Sequence, residues 1–266
     1  MATDQGGFIW YELMTTDVAS ATAFYGDVVG WSIDAQPSGG GAVDYRMINR
    51  GDGGFAGGVL GLTAEMTANG ARPGWFGYVH VDDVDAAVKV FTDAGGTLMM
   101  DNTMEGVGRM ALLTDPQGAP MYVMKPTPPA DNPDAVSDVF SYDKPRHVRW
   151  NELATSDQDA AIDFYAGLFG WRQDGAMPMG ELGDYKFLYR GDGMIGAVMT
   201  KPEGMPQSAW IYYIGVDDID RALGAVAKGG GAVLHGPNEI PGGEHSATCV
   251  DPQGAPFGIV GPRGQG

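Results

Sequence analysis

The feature that most constrains this chain is that it is written twice. Residues 10–31, WYELMTTDVASATAFYGDVVGW, align without gaps on residues 150–171, WNELATSDQDAAIDFYAGLFGW, with ten of 22 positions identical. The register persists downstream. DYRMINRGDG from position 44 recurs as DYKFLYRGDG from 184, VDDVDAAV from 81 as VDDIDRAL from 216, and DPQGAP stands intact at 115 and 251. Offsets of 140, 135 and 136 differ only as loop lengths differ, so two homologous modules are expected. The stretch from 125 to 145, KPTPPADNPDAVSDVFSYDKP, concentrates Pro, Asp and Ser and loses periodicity, which marks an exposed connection. The expected organisation is a module over 1–128, a linker over 129–142 and a second module over 143–266. A chain of 266 residues suits two cores better than one.

Each module contains a smaller plan, again repeated. Phe8 to Met14 reads as an extended strand. Thr16 or Asp17 is placed to cap a helix, and Val18, Ala21, Phe24, Tyr25 and Val28 follow at helical spacing up to Gly30. Trp75 to Val81, Asp83, and then Val84, Ala87, Val88 and Phe91 before Gly95-Gly96 repeat the arrangement. The second module shows it from Trp150 to Gly170 and from Trp210 to Gly230. Short alternating segments follow each helix, and DPQG suits a type I turn, with Pro second and Gly fourth. Each half-module is therefore strand, helix and about three strands, and the fold class is α+β.

Composition narrows the function classes. A hydrophobic share of 44% with 43 glycines describes a folded, turn-rich protein. No apolar run is long enough to span a bilayer, and the first residues, MATDQGGFIWYEL, lack a secretory pattern, so a cytoplasmic location and no membrane are expected. The net charge of -18 repels phosphate backbones, which argues against nucleic acid. Cys249 is the single cysteine and forms no internal disulfide. Gly39-Gly40-Gly41 and Gly106-Val107-Gly108 do not stand between a strand and a helix as a dinucleotide site requires, and no Ser or Cys has an evident base partner.

The order of these strings resembles the glyoxalase/bleomycin resistance protein/dioxygenase group, the vicinal oxygen chelate superfamily. The residues that carry the resemblance are the aromatic-rich strand, the Asp, AxxFYxxxxGW (Ala21, Phe24, Tyr25, Gly30, Trp31), VDDVDAAV and DPQGAP, all present in both halves. The resemblance implies paired βαβββ units whose strands form an open, U-shaped barrel around a ligand. Metal-dependent members place ligands at positions that correspond here to Trp10, Trp150, Phe76, Ile211, Tyr122 and Gly258, and none of these suits a divalent ion. His80, His147, His235 and His245 show no ligand spacing. No metal and no cofactor are expected, and glyoxalase I or extradiol dioxygenase chemistry falls with the metal.

What remains is a set of aromatic and acidic residues. Strand alternation places Glu12 on the face of Trp10, and Glu152 on that of Trp150. A carboxylate in an apolar barrel is costly unless paired, so both point to an interior polar network, a cationic ligand or a structural Arg. Phe76, Tyr78 and Tyr122 add aromatic walls in the first module, and Tyr213 in the second. The candidate ligand-binding residues are therefore Trp10, Glu12, Phe76, Tyr78, Tyr122, Trp150, Glu152 and Tyr213. Phe24, Tyr25, Phe164 and Tyr165 read as helix core. Arg109 and His245 stand at matching strand positions, either as a pocket rim or as solvated strand ends. The expected function is binding of a small molecule, cationic and aromatic by this chemistry, in the manner of resistance proteins that sequester a ligand. The alternative is a metal-independent hydroxylase or lyase with Glu12 or Glu152 as general base. A third reading makes one module a stabilising remnant. Monomer and homodimer both fit, since four half-modules can pair within one chain.

Overall fold

The computed structural model describes residues 5–38, 43–130 and 132–264. The Gly39-Gly40-Gly41 loop lies outside the described residues.

The first repeat runs β1 (Phe8–Thr15), α1 (Val18–Val29), β2 (Ser32–Ile33), β3 (Tyr45–Asn49), β4 (Phe55–Gly61), a short α2 (Ala64–Ala68), β5 (Gly74–His80), α3 (Val84–Asp93), β6 (Thr97–Met104), β7 (Gly108–Thr114) and β8 (Pro120–Pro126). The second runs β9 (Val148–Thr155), α4 (Gln158–Phe169), β10 (Arg172–Pro178), β11 (Asp184–Arg190), β12 (Gly193–Thr200), β13 (Ala209–Gly215), α5 (Ile219–Lys228), β14 (Ala232–Glu239), β15 (His245–Val250) and β16 (Pro256–Gly261). Each repeat is thus two βαβββ units, as expected.

Local chemistry explains the helix bounds. The Asp residues that recur before each long helix, Asp17, Asp83, Asp157 and Asp218, are extended N-caps whose side chains accept backbone N–H bonds from the first turn. Asp17, not Thr16, is therefore the cap of α1. Gly30 and Gly170 end α1 and α4 at φ 83° and 70°, the left-handed geometry that glycine adopts at least cost. The Trp after each Gly then turns inward: Trp31 Nε1 donates to Arg146 O at 2.8 Å, and Trp171 Nε1 donates to Gly6 O at 2.7 Å.

The strands form two open, mixed eight-stranded sheets, one per repeat, in the order β2-β3-β4-β1-β5-β8-β7-β6 and its counterpart β10-β11-β12-β9-β13-β16-β15-β14. Within each βαβββ unit the first and last strands pair in parallel, Glu12 opposite Gly58 and Glu152 opposite Ala197, while the hairpins are antiparallel.

The compact units do not coincide with the sheets. The chain divides into two such units, each of which combines halves of both repeats. Unit 1 comprises Gly77–Ser137 and Asn151–Trp210 with the chain up to Ile9; unit 2 comprises Trp10–Phe76, Asp138–Trp150 and the chain from Ile211. In unit 1 the helices α3 and α4 meet through Phe91 and Phe164, ring centroids 4.9 Å apart and nearly perpendicular. In unit 2, α5 meets α1, where Arg221 donates to the carbonyls of Asp27 and Val28 at 2.7 and 3.0 Å, neutralising the carbonyl end of that helix.

Each unit is also joined by a buried three-residue relay. In unit 2, Trp75 Nε1 donates to the Tyr25 hydroxyl at 2.8 Å, and that hydroxyl donates to Asp251 Oδ2 at 3.2 Å. In unit 1, Trp210 Nε1 meets the Tyr165 hydroxyl at 3.3 Å, which donates to Asp115 Oδ2 at 2.9 Å. The second oxygen of each Asp accepts two backbone N–H bonds in its own DPQG turn. The tyrosine of one repeat is thus bound to the turn of the other. Burial raises the carboxyls of Asp115 and Asp251 above the ordinary range, opposed by these hydrogen bonds, and burial with the Asp251 charge raises the Tyr25 phenol.

Candidate functional site

Strand parity sorts the candidate residues. In β11, Lys186 pairs with Asp159 of α4 and Leu188 is buried, so these face the helix, and Tyr185, Phe187 and Tyr189 lie on the helix-free face. The register Glu152–Ala197–Phe187 across β9, β12 and β11 puts Glu152 on that same face. In the first repeat the corresponding line is Glu12–Gly58–Met47, flanked by Trp10 and Tyr45. In both copies the carboxylate therefore shares a strand face with aromatic residues.

In unit 2, Trp10 Nε1 donates to the Tyr45 hydroxyl at 2.7 Å, and the Tyr45 ring lies directly over Gly58, where any Cβ would collide with its hydroxyl. Glu12 is 3% exposed on the strand beside it. Trp10 also lies against Phe55, with centroids 6.3 Å apart, and Phe76 is half-buried. In the part of unit 2 drawn from the second repeat, Trp150 and Ile240 pack against a cluster of Ile211, Tyr213 and Val260. The Tyr213 ring covers Gly258 and would meet a Cβ there at 2.3 Å, while its hydroxyl is 3.2 Å from Thr248 Oγ1.

In unit 1, Glu152 Oε2 accepts a hydrogen bond from the Tyr185 hydroxyl at 2.6 Å. Tyr185 meets Phe187 edge-on, with centroids 6.0 Å apart at 79°. At the far end of β11, Arg172 Cζ stands 4.9 Å over the Tyr189 ring and its guanidinium pairs with Asp174 at 2.7 Å. Tyr78 and Tyr122, opposite each other on β5 and β8, are stacked at 4.0 Å and 7° and both buried. Arg109 forms ion pairs with Asp85 and Asp101 at 2.8 and 2.7 Å on the strand surface. Cys249 is buried with its thiol pushed up to about 12, far from the reactive thiolate range. A shallow polar depression of about 340 Å³ lies in unit 1 among Ser156, Asp157, Asp159, Asp184, Lys186 and Thr200. It is lined by solvated charges and lies away from the candidate face.

Sequence alternation does not single out Tyr45 and Tyr185 as site residues, although the repeat carries them as DYRM and DYKF. Strand parity alone does not join them to Glu12 and Glu152. That requires the register across β4 and β12.

The family model described as Glyoxalase/Bleomycin resistance protein/Dioxygenase superfamily matches residues 7–121 and again 144–259. The chain belongs to this superfamily. It is 33% identical over 265 residues to the protein named putative glyoxylase CFP32 of Mycobacterium bovis, covering 98% of this chain and 97% of that one. It is 28% identical to the anthracycline biosynthesis protein DnrV of Streptomyces peucetius, covering 96% and 93%. Among solved structures, the Mn(II)-bound glyoxalase from Novosphingobium aromaticivorans superposes with a TM-score of 0.60 at 14% identity, covering 97% of this chain and 82% of that one. The 2,2',3-trihydroxybiphenyl 1,2-dioxygenase from Sphingomonas wittichii superposes at 0.63 and 11% identity, covering 97% and 90%. At such identities the structural likeness speaks for the fold.

The metal of the metal-dependent relatives does not fit the residues present. At the corresponding positions Trp10 and Trp150 offer indoles, Tyr122 is stacked on Tyr78, and the space beside Gly258 is taken by the Tyr213 ring. Among the described residues no group of three or more His, Cys, Asp or Glu gathers to hold an ion. No helix among them is long and apolar enough to cross a membrane.

Proposed function

We propose that the protein binds a small aromatic molecule on the helix-free sheet faces that hold Glu12 and Glu152, and sequesters it rather than transforming it. The observation that carries this reading is the placement of a carboxylate among aromatic rings at the same strand position in both repeats, 3% exposed at Glu12 and bound by a phenol at Glu152. A carboxylate there attracts a cationic or hydrogen-bond-donating ligand, and flat rings stack on or edge against the aromatic neighbours. Two relatives carry names that place them in anthracycline biosynthesis, and anthracyclines are fused-ring aromatics, which supports the same ligand class.

The test is a thermal-shift screen of flat aromatic compounds, followed by titration of the best hit into wild type, Glu12→Gln and Glu152→Gln. Bound ligand at a hundredfold excess over Kd stabilises by about 2.7 kcal/mol. Loss of more than about 1.5 kcal/mol of affinity in at least one variant, with melting retained, is the expected result. Altered melting with unchanged affinity in both would reduce the carboxylates to structural groups.

One contact favours a second reading. A carboxylate 2.6 Å from a tyrosine hydroxyl, as at Glu152 and Tyr185, is the arrangement from which a general base acts once it also touches substrate. Chemical change of the bound compound, lost in Glu152→Gln, would decide for the enzyme.

A further inference from the structure

We infer that the face of β11 selects the ligand of unit 1, and that this ligand is an elongated planar hydroxy-aromatic ketone or quinone rather than a simple organic cation. The inference rests on the small-molecule reading above and sharpens it. Tyr185, Phe187 and Tyr189 are successive residues of one strand face, so the outer two stand about 13 Å apart along the strand. That is the length of three or four fused six-membered rings. The three do not form a flat platform: Tyr185 and Phe187 meet at 79°, so a flat ring stacked on one meets the edge of the other. Phe187 and Tyr189 are half-buried, whereas Leu188 between them, facing α4, is 2% exposed.

The polar groups on the two sides of the row differ in kind. Glu152 lies two strands from β11, level with Phe187 through Ala197, and the Tyr185 hydroxyl reaches across to donate to it. A ligand hydroxyl donates there. Arg172 stands on the other side, over Tyr189, on the strand that pairs with β11. Its guanidinium, paired with Asp174, keeps further N–H donors for a carbonyl or carboxylate. A compound with a donor on one side and an acceptor on the other satisfies both, whereas a cation satisfies Glu152 only. The fold does not demand this row, because the same strand of the first repeat carries Tyr45, Met47 and Asn49.

The experiment is calorimetric titration of the full chain with 1,2-dihydroxyanthraquinone, with an acridine cation and with catechol, in wild type and in Phe187→Leu, Tyr189→Leu and Arg172→Gln. Wild type should prefer the quinone to both comparators. Each variant should weaken the quinone about tenfold, and Arg172→Gln should leave the cation unchanged or tighter. Arg172 is half exposed at 52%, so its variant keeps the test open should an aromatic variant fail to fold. Quinone binding that all three variants leave within about twofold overturns this inference and leaves the proposed function intact, with the ligand held elsewhere. Tighter binding of the cation than of the quinone by wild type overturns it in the same way. Failure of every flat aromatic to bind removes the proposed function, and this inference with it.

Discussion

The first βαβββ units of the two repeats share their packing against helices and differ on their open faces. Toward the helix, Tyr25 and Tyr165 occupy matching positions and make matching bonds, each taking an indole N–H and giving its proton to a DPQG carboxylate. On the helix-free face, Trp10, Tyr45, Met47 and Asn49 of one copy stand against Trp150, Tyr185, Phe187 and Tyr189 of the other. Buried polar groups tolerate little change because an unmatched partner is costly, whereas a half-buried face can change its rings at small cost to stability. The relays are thus the common scaffold, and the helix-free faces are where the side chains of the two copies differ.

The largest effect should follow from breaking a relay. Asp115→Ala and Asp251→Ala each strand a tyrosine hydroxyl and two turn N–H groups, and each should cost about 3 kcal/mol of unfolding free energy in urea. Costs that differ between the two by more than about 1.5 kcal/mol would break the claimed equivalence of the scaffolds. Tyr25→Phe and Tyr165→Phe are milder, because the ring stays, and should cost about 1–2 kcal/mol each.

A pH dependence sharpens the same point. Asp115 and Asp251 have carboxyls raised in the fold by burial, so the folded chain holds their protons more tightly than the unfolded one. Their contribution is fully present below about pH 4, the unfolded value, and is lost as pH rises through the raised folded values. Asp44 and Asp138 behave oppositely. The hydrogen bonds from Arg46 and Arg50 lower them, and their stabilisation is lost as pH falls below the ordinary carboxylate range. In Asp115→Asn with Asp251→Asn, the decline of stability above about pH 4 should flatten while the acid limb persists, as urea midpoints at stepped pH would report. An unaltered slope would show that the relay carboxyls do not titrate in that window.

The smallest effect expected is on stability at the open faces. Met47→Phe, which gives the first repeat the ring that Phe187 supplies in the second, should change the melting free energy by less than about 1.5 kcal/mol. It should also raise affinity for flat aromatic probes if face composition, and not position in the chain, sets ligand preference. Unchanged affinity would separate the two faces by something other than their rings.

Much of this was legible in the residues. The duplication, the four capping aspartates, the DPQG turns and the alternation that sets Glu12 beside Trp10 are local properties, fixed within a few residues by hydrogen-bond geometry and strand period. The family is equally legible, since its motifs recur in order and spacing in both halves. Other features depend on partners distant in the chain. Tyr185 reaches Glu152 only through the register of β11, β12 and β9, and Tyr78 meets Tyr122 only because β5 lies beside β8. The pairing of halves is the clearest case. Tyr25 can bond equally well, by its own chemistry, to the Asp of either DPQG turn, because the two turns have the same sequence. Local sequence therefore determines that a tyrosine and a turn will meet, while the choice of Asp251 for Tyr25 and Asp115 for Tyr165 belongs to the tertiary structure, where packing of whole helices and strands selects between two partners that are chemically identical.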